Sequence, residues 1–540
     1  MKNSSDINFE GITFEASCAT VINMKDTKNN NIRGCTFRNL SEKAVNIENA
    51  YGCGLLGCDL YNIGKGAVDL GGGDRATLTD SKNYIKNCYF TRYNTRLFCS
   101  FYKAVELYGV GNIVANSVFH DSGGCAVWFN GNSNLIENNE FFDLDKITSD
   151  AGAVYAYGDW TAQGNVIRNN IFHDIIGGRG TGGARPVYLD ERIGGTTVES
   201  NLFYNCSKPM FSNSGRDNIY DSNLIANCAS SIWISTFTSS TDDVMNPYSV
   251  LMITYREAPV SNELWKKKYP KLLNLLNDKP GLPKDNTVVN NITYNSSDFV
   301  LSDEAKATCT MHDNVSIKDD SIFVDAGNNN FRIKDGQNPV SGFKALDYNN
   351  VGLKLDNDRT AMPDMSNFSL LSPENGSVAK SLVLTWQACT GAVKYHVQIA
   401  KDKGFNEIVV DKEVTLNSFE ASELEYGNTK YYWKVTAERT SVNLPMQLEN
   451  IGGVQSFETP LKGNVDTTVL SETVQQASKL FENIKTGDGI GESSSECKDA
   501  FSKAIENSKL VLVDKDLSQA KVNGTLKQLQ EEVRKFKFSI

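Results

Sequence analysis

Four acidic side chains border two short apolar segments of the sequence, and their spacing predicts acid–base chemistry. Asp150 precedes the segment that ends at Tyr157, and Asp159 follows it. Asp190 and Glu191 end the next apolar segment. If the two segments pair as parallel strands with Tyr157 beside Asp190, the offset of one strand and two residues separates Asp159 from Asp190 by roughly 5–9 Å. This range covers both carboxylate spacings used in glycoside hydrolysis, so the stereochemical outcome stays open.

Paired carboxylates hydrolyse glycosidic bonds by dividing two tasks between them. One carboxyl group donates a proton to the leaving oxygen, while the other is ionised and acts as base or nucleophile. Like charges held close together favour this division because they make the two groups differ in proton affinity. The candidate catalytic residues are Asp150, Asp159, Asp190 and Glu191. The alternatives are a solvated acidic rim or a calcium site. No other cofactor and no metal-ligand motif is predicted.

Aromatic residues recur at one position of successive apolar segments. Side chains alternate between the two faces of a strand, so an inward valine column leaves its neighbours pointing outward. The predicted outward column is Asp69, Glu106, Trp128, Tyr155, Tyr188, Phe211 and Trp233. Tyr157 follows two residues after Tyr155 on the same face. Rings with apolar faces and polar edges suit sugars, which predicts a solvent-exposed, glycan-binding groove. The alternative is that a long insert packs over the rings.

The segments belong to a repeat that predicts a parallel β-solenoid. Four-residue motifs such as Gly34–Phe37 and Asn169–Phe172 begin at residues 34, 57, 87, 116, 138, 169, 200, 222, 290 and 313. The recurring interval is 22–23 residues, with longer inserts between some motifs. Each coil pairs with the next, so no coil is stable alone. One motif position predicts a ladder of stacked side chains at a turn: Asn139, Asn170, Asn201, Asn223, Asn291 and Asn314.

The hydrophobic pattern changes twice along the chain and predicts three domains in a mainly β protein. Residues 1–360 form the solenoid, within which residues 232–285 are a long insert. Residues 367–461 carry short alternating strands typical of a β-sandwich, and residues 464–540 switch to helical spacing typical of a small bundle.

The solenoid sequence resembles glycoside hydrolase family 141 over about residues 7–355. The motifs that carry the likeness are Asp150–Tyr155, Asp159–Trp160, Gly164–Asp174, Val187–Glu191, Gly215–Asn218, Tyr269–Pro270 and Phe331–Ile333. The resemblance implies a right-handed parallel β-helix that cleaves plant cell-wall glycans such as xylan, or fucosyl groups on pectin. It implies two acidic catalytic residues, which the matching motifs place at Asp150 and Asp190, with Asp159 and Glu191 as alternates.

The C-terminal regions also resemble known modules. The early Trp386 and the strand Tyr431–Ala437 are similar to a fibronectin type III domain. Val513–Ala520, before the last predicted helix, is similar to the three-helix FIVAR module of secreted bacterial glycan-active proteins. Such modules imply spacers or glycan-contacting additions.

Two other functions fit the same solenoid. A polysaccharide lyase or epimerase needs a cation to neutralise a uronate carboxylate and a base to remove the neighbouring proton. The cations near the groove are Arg185, Arg192, Lys208 and Arg216, of which Arg192 and Arg216 are also predicted to contact substrate in the hydrolase. The second alternative is a non-catalytic glycan-binding or adhesive surface protein, because solenoids host many functions.

Composition limits the partners of the chain. Its 540 residues include 54 basic and 65 acidic side chains, for a net charge of −11, which argues against nucleic acid or anionic membranes as ligands. No apolar run is long enough to span a membrane. The sequence begins directly in a strand-like segment without a signal peptide, so we expect a truncated, extracellular or cell-surface protein that is monomeric. The 12 cysteines include Cys35, Cys58 and Cys88, which we expect to be buried small hydrophobes.

Overall fold

The computed structural model describes the whole chain apart from residues 96–101, 149, 178–182, 238–243, 390–391, 393, 415, 440–445, 461–466, 484, 487–491, 494, 515–518 and 539–540. Part of the Val513–Ala520 motif therefore lies outside the described residues. The chain divides into two compact units, one of Met1–Asp364 and one that contains Met365–Thr440 and Pro445–Ile540.

The first unit is a right-handed parallel β-helix built from three sheets, which confirms the predicted fold class. Sheet I contains Asn8–Glu10, Asn31–Arg33, Gly54–Leu56, Tyr84–Lys86, Ile113–Ala115, Leu135–Glu137, Asn165–Arg168, Thr196–Glu199, Ile219–Asp221, Thr287–Val289 and Thr310–His312. Sheet II contains Thr13–Glu15, Thr36–Leu40, Asp59–Ile63, Tyr89–Tyr93, Val118–His120, Glu140–Phe142, Ile171–His173, Leu202–Tyr204, Leu224–Ala226, Ile292–Tyr294 and Val315–Ile317. Sheet III contains Ile22–Lys25, Val45–Glu48, Val68–Gly72, Lys103–Gly109, Cys125–Phe129, Ala151–Tyr157, Ala184–Asp190, Met210–Asn213, Ile232–Ser235 and Val300–Leu301.

Identical positions of successive coils stack in register inside the β-helix. The phenylalanine of the repeat motif forms a continuous buried stack, in which Phe172 lies 4.8 Å from both Phe141 and Phe203 between ring centroids. The predicted asparagine ladder is confirmed, because the Asn170 amide donates to Asn201 at 3.0 Å and the pattern continues from coil to coil. The ladder satisfies buried backbone groups at the turn, which an apolar residue would leave unpaired.

The long insert docks on the turn that follows the strand Ala151–Tyr157. Its helices are Val250–Glu257, Glu263–Lys268 and the 3-10 helix Pro270–Asn277. Trp160, fully buried, packs in one apolar cluster with Leu251 and Trp265 of the insert. The described part of the insert thus shares an apolar cluster with this turn, while Trp128, Tyr155, Tyr157, Tyr188 and Phe211 of the aromatic face form a separate cluster.

The end of the first unit returns along the outside of the β-helix. After the short helix Asp303–Thr308, the antiparallel pair Phe323–Asp325 and Asn330–Ile333 covers sheet II, with 3-10 turns at Ala326–Asn328 and Tyr348–Asn350. The chain then runs back down the coils. Lys344 binds Asp221, Gly352 donates to the carbonyl of Asn138, and Arg359 binds Asp59.

The second unit contains a β-sandwich and three helices. One sheet is formed by Leu370–Ser372, Val383–Trp386 and Ser418–Glu420, and the other by Ser377–Val378, Gln455–Glu458, Lys430–Arg439, Lys394–Ala400, Ile408–Val414 and Met446–Glu449. Trp386 and Trp433 are fully buried between them. The helices are Thr468–Asn483, Ser495–Leu512 and Gln519–Phe538, with a short parallel pair at Lys485–Thr486 and Glu492–Ser493. Among the described residues, none of the helices could cross a bilayer.

Buried His173 lies between two carboxylates on the outer face of sheet II. Its Nδ1 is 2.7 Å from Asp174 and its Nε2 is 3.2 Å from Glu140, while the ring stacks between Phe142 and Tyr204. Burial opposes the charged form, but the hydrogen bonds to Asp174 and Glu140 outweigh it and raise the pKa of His173 to about 9. The imidazolium is therefore the folded-state form at neutral pH.

Stability should depend on the protonation of His173. Because the folded pKa is above the unfolded value of 6.5, the stabilisation is complete below about pH 6.5 and is lost as the pH rises through about 9. We expect the free energy of unfolding, measured with urea, to fall by about 2–3 kcal/mol between pH 6.5 and pH 9 because His173 loses its proton. The double variant Glu140→Gln/His173→Phe removes the charged pair and should flatten the profile. An equal slope in both proteins would contradict the assignment.

Candidate active site

The candidate site lies on the outer face of three consecutive strands of sheet III, Ala151–Tyr157, Ala184–Asp190 and Met210–Asn213. Tyr155 pairs with Tyr188, and Tyr157 pairs with Asp190, which confirms the predicted register. On the following strand, Phe211 pairs with Tyr188. The inward column is also confirmed, since Val68, Val105, Val127, Val154, Val187, Met210 and Ile232 are all buried and in register.

Asp190 is held by three hydrogen-bond donors. The Tyr155 hydroxyl donates to Oδ2 at 2.8 Å, the Asn213 amide donates to Oδ1 at 2.9 Å, and the backbone N–H of Glu191 donates to the same oxygen at 2.8 Å. Only 6% of Asp190 is exposed. A buried carboxylate is tolerated when its oxygens are satisfied in this way, and its orientation is then fixed.

The chain turns sharply directly after Asp190. Glu191 and Arg192 both have positive φ, at 39° and 69°, a conformation that non-glycine residues adopt at a cost. Backbone strain of this kind clusters at functional sites. Glu191 is half-buried and faces the Tyr157 hydroxyl; burial and this carboxylate together raise the pKa of Tyr157 to about 12.

Asp150 lies on the other side of Tyr188 from Asp190. Its side chain is 73% exposed, accepts from Arg185 at 3.0 Å and lies 3.4 Å from the Tyr188 hydroxyl. The same hydroxyl interacts with Asp190, and burial and this carboxylate raise the pKa of Tyr188.

Asp159 is committed to the turn on which the insert docks. Its Oδ1 accepts from the backbone N–H of Thr161 at 2.7 Å and from the Thr161 hydroxyl at 2.5 Å, and its Oδ2 lies 3.7 Å from Arg75. Only 4% of Asp159 is exposed. These contacts are typical of a residue that caps a turn.

The aromatic column exists, but the prediction that its rings are solvent-exposed is wrong for two of them. Tyr155 and Tyr188 are 7% and 3% exposed, whereas Trp128, Phe211 and Trp233 are half-buried. Trp128 and Tyr155 meet edge to face at 4.6 Å, as do Tyr155 and Tyr188 at 5.0 Å. Edge-to-face packing suits the ring quadrupoles and turns the tyrosine hydroxyls toward the carboxylates.

The two arginines predicted to contact substrate are both buried against the insert. Arg216 is 1% exposed, and its guanidinium binds the carboxylate and the carbonyl of Asp278 at 2.8 and 3.1 Å. Arg192 donates to the carbonyl of Gly281 at 3.3 Å and is 2% exposed. Their positive charges therefore bind the insert.

The importance of Tyr155 and Asn213 as partners of Asp190 was not evident from the sequence. A repeat gives only the position of a side chain and not its hydrogen bonds. No cluster of three or more His, Cys, Asp or Glu with metal-binding geometry is found within the described ranges, and calcium binding stays a prediction.

Comparison with known proteins agrees with the fold. Residues 20–177 and 103–242 match the family model described as the right handed beta helix region. The chain contains a right-handed β-helix. No curated protein is significantly similar to it in sequence.

The solved structures that align with this chain include a glycoside hydrolase and phage tailspike proteins. A glycoside hydrolase aligns with 16% identity and a TM-score of 0.28 over 41% of this chain, which spans only 38% of that protein's length. Another match is a tailspike protein mutant of E. coli bacteriophage HK620 in complex with hexasaccharide, with 13% identity and a TM-score of 0.30. The alignment covers 84% of this chain and 72% of the tailspike chain. A double mutant of that tailspike has 12% identity and a TM-score of 0.32, and the alignment covers 85% of this chain and 81% of the tailspike chain.

Proposed function

We propose that the β-helix is an extracellular glycoside hydrolase that uses Asp190 and Asp150. The observation that carries the proposal is the pairing of two carboxylates in unlike surroundings on one sheet face. Asp190 is buried and fixed by three donors, whereas Asp150 is exposed. Groups placed in such different environments can divide the ionised and the proton-donating roles between them.

In this mechanism, Asp190 is the ionised carboxylate that acts as base or nucleophile. Asp150 donates the proton to the leaving oxygen, and Glu191 is the alternate for that role because it is half-buried beside Tyr157. The half-buried rings of Trp128, Phe211 and Trp233 contact the sugars on either side. We propose plant cell-wall polysaccharides, xylan or pectin side chains, as the substrates, as the sequence resemblance implies.

The proposal is tested by a reducing-sugar screen of the full chain on xylans and pectins. Release of reducing ends that is unaffected by a chelator supports hydrolysis, and NMR of the first product then gives its anomeric configuration. Release of nothing from any glycan, combined with measurable affinity, would favour a non-catalytic binding protein instead.

A lyase or epimerase is the second candidate, and one observation favours it. Arg185 and Lys208 lie beside Asp150, where a cation is needed to neutralise a uronate. Elimination creates a double bond that absorbs in the near ultraviolet, whereas hydrolysis does not. Growth of that absorbance with purified protein would replace the hydrolase assignment.

We also propose that the two C-terminal regions are accessory modules. The β-sandwich within residues 367–461 is the fibronectin type III-like module, and the three helices within residues 464–540 are the FIVAR-like module. Their buried cores support folded spacers, with Trp386 and Trp433 in the first and Phe501 in the second.

Tyr155→Phe should slow hydrolysis without unfolding the site. The ring is retained against Trp128 and Tyr188, but Asp190 loses the donor at Oδ2. We expect kcat to fall about 10- to 100-fold with little change in KM, since the lost hydrogen bond orients a charged group. The pH–rate profile should also shift at its acidic limb, which a purely structural change would not cause. Tyr93→Phe, a control in a buried tyrosine away from Asp190, should leave both kcat and the profile unchanged.

A further inference from the structure

Two cations occupy the same position of successive coils beside the candidate site. Val187 pairs with Met210 on the next coil. In the same register, the residues two positions earlier, Arg185 and Lys208, lie beside each other. The Arg185 guanidinium lies 4.4 Å from the Tyr188 ring and 4.8 Å from the Phe211 ring, and the Lys208 ammonium lies 4.8 Å from the Trp233 ring. Both charges are therefore held over the aromatic column by cation–π contacts.

The negative charge at this position does not balance the positive charge. Arg185 has Asp150 as an ion-pair partner, but Lys208 forms no salt bridge with any residue in the described part of the chain. Partial burial and the neighbouring Arg185 lower the pKa of Lys208, and the Asp150 carboxylate, which it shares with Arg185, offsets this only in part. Asp145 lies behind Arg185, but burial raises its pKa to about 7, so it compensates only in part.

Other cations of the same column are neutralised. Lys43 lies two residues before Val45 of the inward column, as Lys208 lies two residues before Met210. Lys43 binds Asp69. Lys103 lies over Trp128 and binds Glu106 at 3.0 Å. An uncompensated cation is thus specific to the two coils next to Asp150 and Asp190.

We propose that Arg185 and Lys208 form a subsite for an anionic group of the glycan substrate, a uronate carboxylate or a sulfate ester. The proposal deepens the function proposed above and rests on it for the identity of the ligand as a glycan. Arg185 is 7% exposed and prepositioned between two rings, so little ordering is needed to bind an anion. A planar guanidinium binds carboxylate or sulfate with two parallel hydrogen bonds, while Lys208 adds a point charge.

Occupation of this subsite would also act on Asp150. An anion that takes over Arg185 leaves Asp150 without its counter-ion and places a like charge beside it. Both changes favour the protonated form of a carboxyl group, which is the form a proton donor needs. Anionic glycans should therefore be both the tighter and the faster substrates.

Binding is measured by calorimetry with the full chain carrying Asp190→Asn, so that no probe is cleaved. The probes are hexagalacturonate and its fully methylated ester, and a sulfated galactan hexasaccharide without uronate and its desulfated form. We expect at least one acidic probe to bind 10-fold or more tightly than its neutral counterpart, and the pair that shows the preference distinguishes carboxylate from sulfate. Adding Lys208→Gln should reduce that preference about 5- to 10-fold and flatten its salt dependence.

Lys43→Gln is the matched control, because it removes the same charge from the same column six coils away, roughly 29 Å at about 4.8 Å per coil. It should leave every affinity unchanged. Equal affinity for acidic and neutral probes, no binding of any probe, or equal effects of the two lysine variants would overturn the subsite. If acidic probes bind more tightly but the wild-type chain cleaves no glycan, the hydrolase proposal fails while the subsite stands. If the wild-type chain cleaves acidic and neutral glycans at equal rates, the hydrolase proposal stands while the subsite fails.

Discussion

Asp190→Asn is expected to lower kcat for glycan hydrolysis by about 10³-fold or more, which is the scale for loss of an essential carboxylate. The change removes the charge but keeps an oxygen that can accept from Tyr155 or from Asn213 and Glu191. Glycan affinity should stay within a few-fold, because the aromatic contacts and the cations are untouched. Reducing-sugar release and calorimetry on the same preparation separate the two effects.

Asp159→Asn is the control for this prediction. Asp159 is as buried as Asp190 and belongs to the neighbouring coil, but its partners are Thr161 and Arg75. We expect about 1 kcal/mol of lost stability, from a weakened turn, with activity per folded molecule unchanged within about two-fold. If Asp159→Asn abolishes hydrolysis while Asp190→Asn does not, the assignment of the ionised carboxylate is wrong.

Phe172→Ala is expected to cost about 3–5 kcal/mol of stability, the largest effect on folding among the predictions. The ring is fully buried and stacks on Phe141 and Phe203 of the coils on both sides. In a solenoid each coil is stabilised mainly by its two neighbours, so a cavity at this position weakens both interfaces. Urea unfolding followed by circular dichroism measures the loss.

Two further variants show whether the loss comes from the cavity. Phe172→Leu retains most of the volume and should cost only about 1 kcal/mol. Tyr248→Ala removes an aromatic ring of the insert that is 86% exposed, and it should change stability by less than about 0.5 kcal/mol. A Phe172→Ala loss no greater than that of Tyr248→Ala would mean that the stack does not carry the stability of the coils.

The repeat in the sequence was sufficient to predict the register of the site. The valines, the phenylalanines and the ladder asparagines recur at fixed intervals, and parallel pairing converts each interval into a column. The prediction that Tyr157 lies beside Asp190 is therefore confirmed to the residue. The fold class follows from the same periodicity.

The directions of individual side chains did not follow from the repeat. Asp159 lies near the predicted position, but its carboxylate binds the following turn at Thr161. Tyr155 and Tyr188 are in the predicted column, yet they pack edge to face and are buried. Rotamers depend on neighbours in three dimensions, which a period along the chain does not specify.

By itself, then, the sequence determined the coils of this protein and which residues share a face, because covalent spacing sets which positions stack. Only the tertiary structure decided how distant segments dock on those coils. Arg216 reaches Asp278 of the insert, and Arg33 reaches Asp358, which lies 325 residues away along the chain. Such contacts depend on shape and charge matching between surfaces that exist only after the coils have formed.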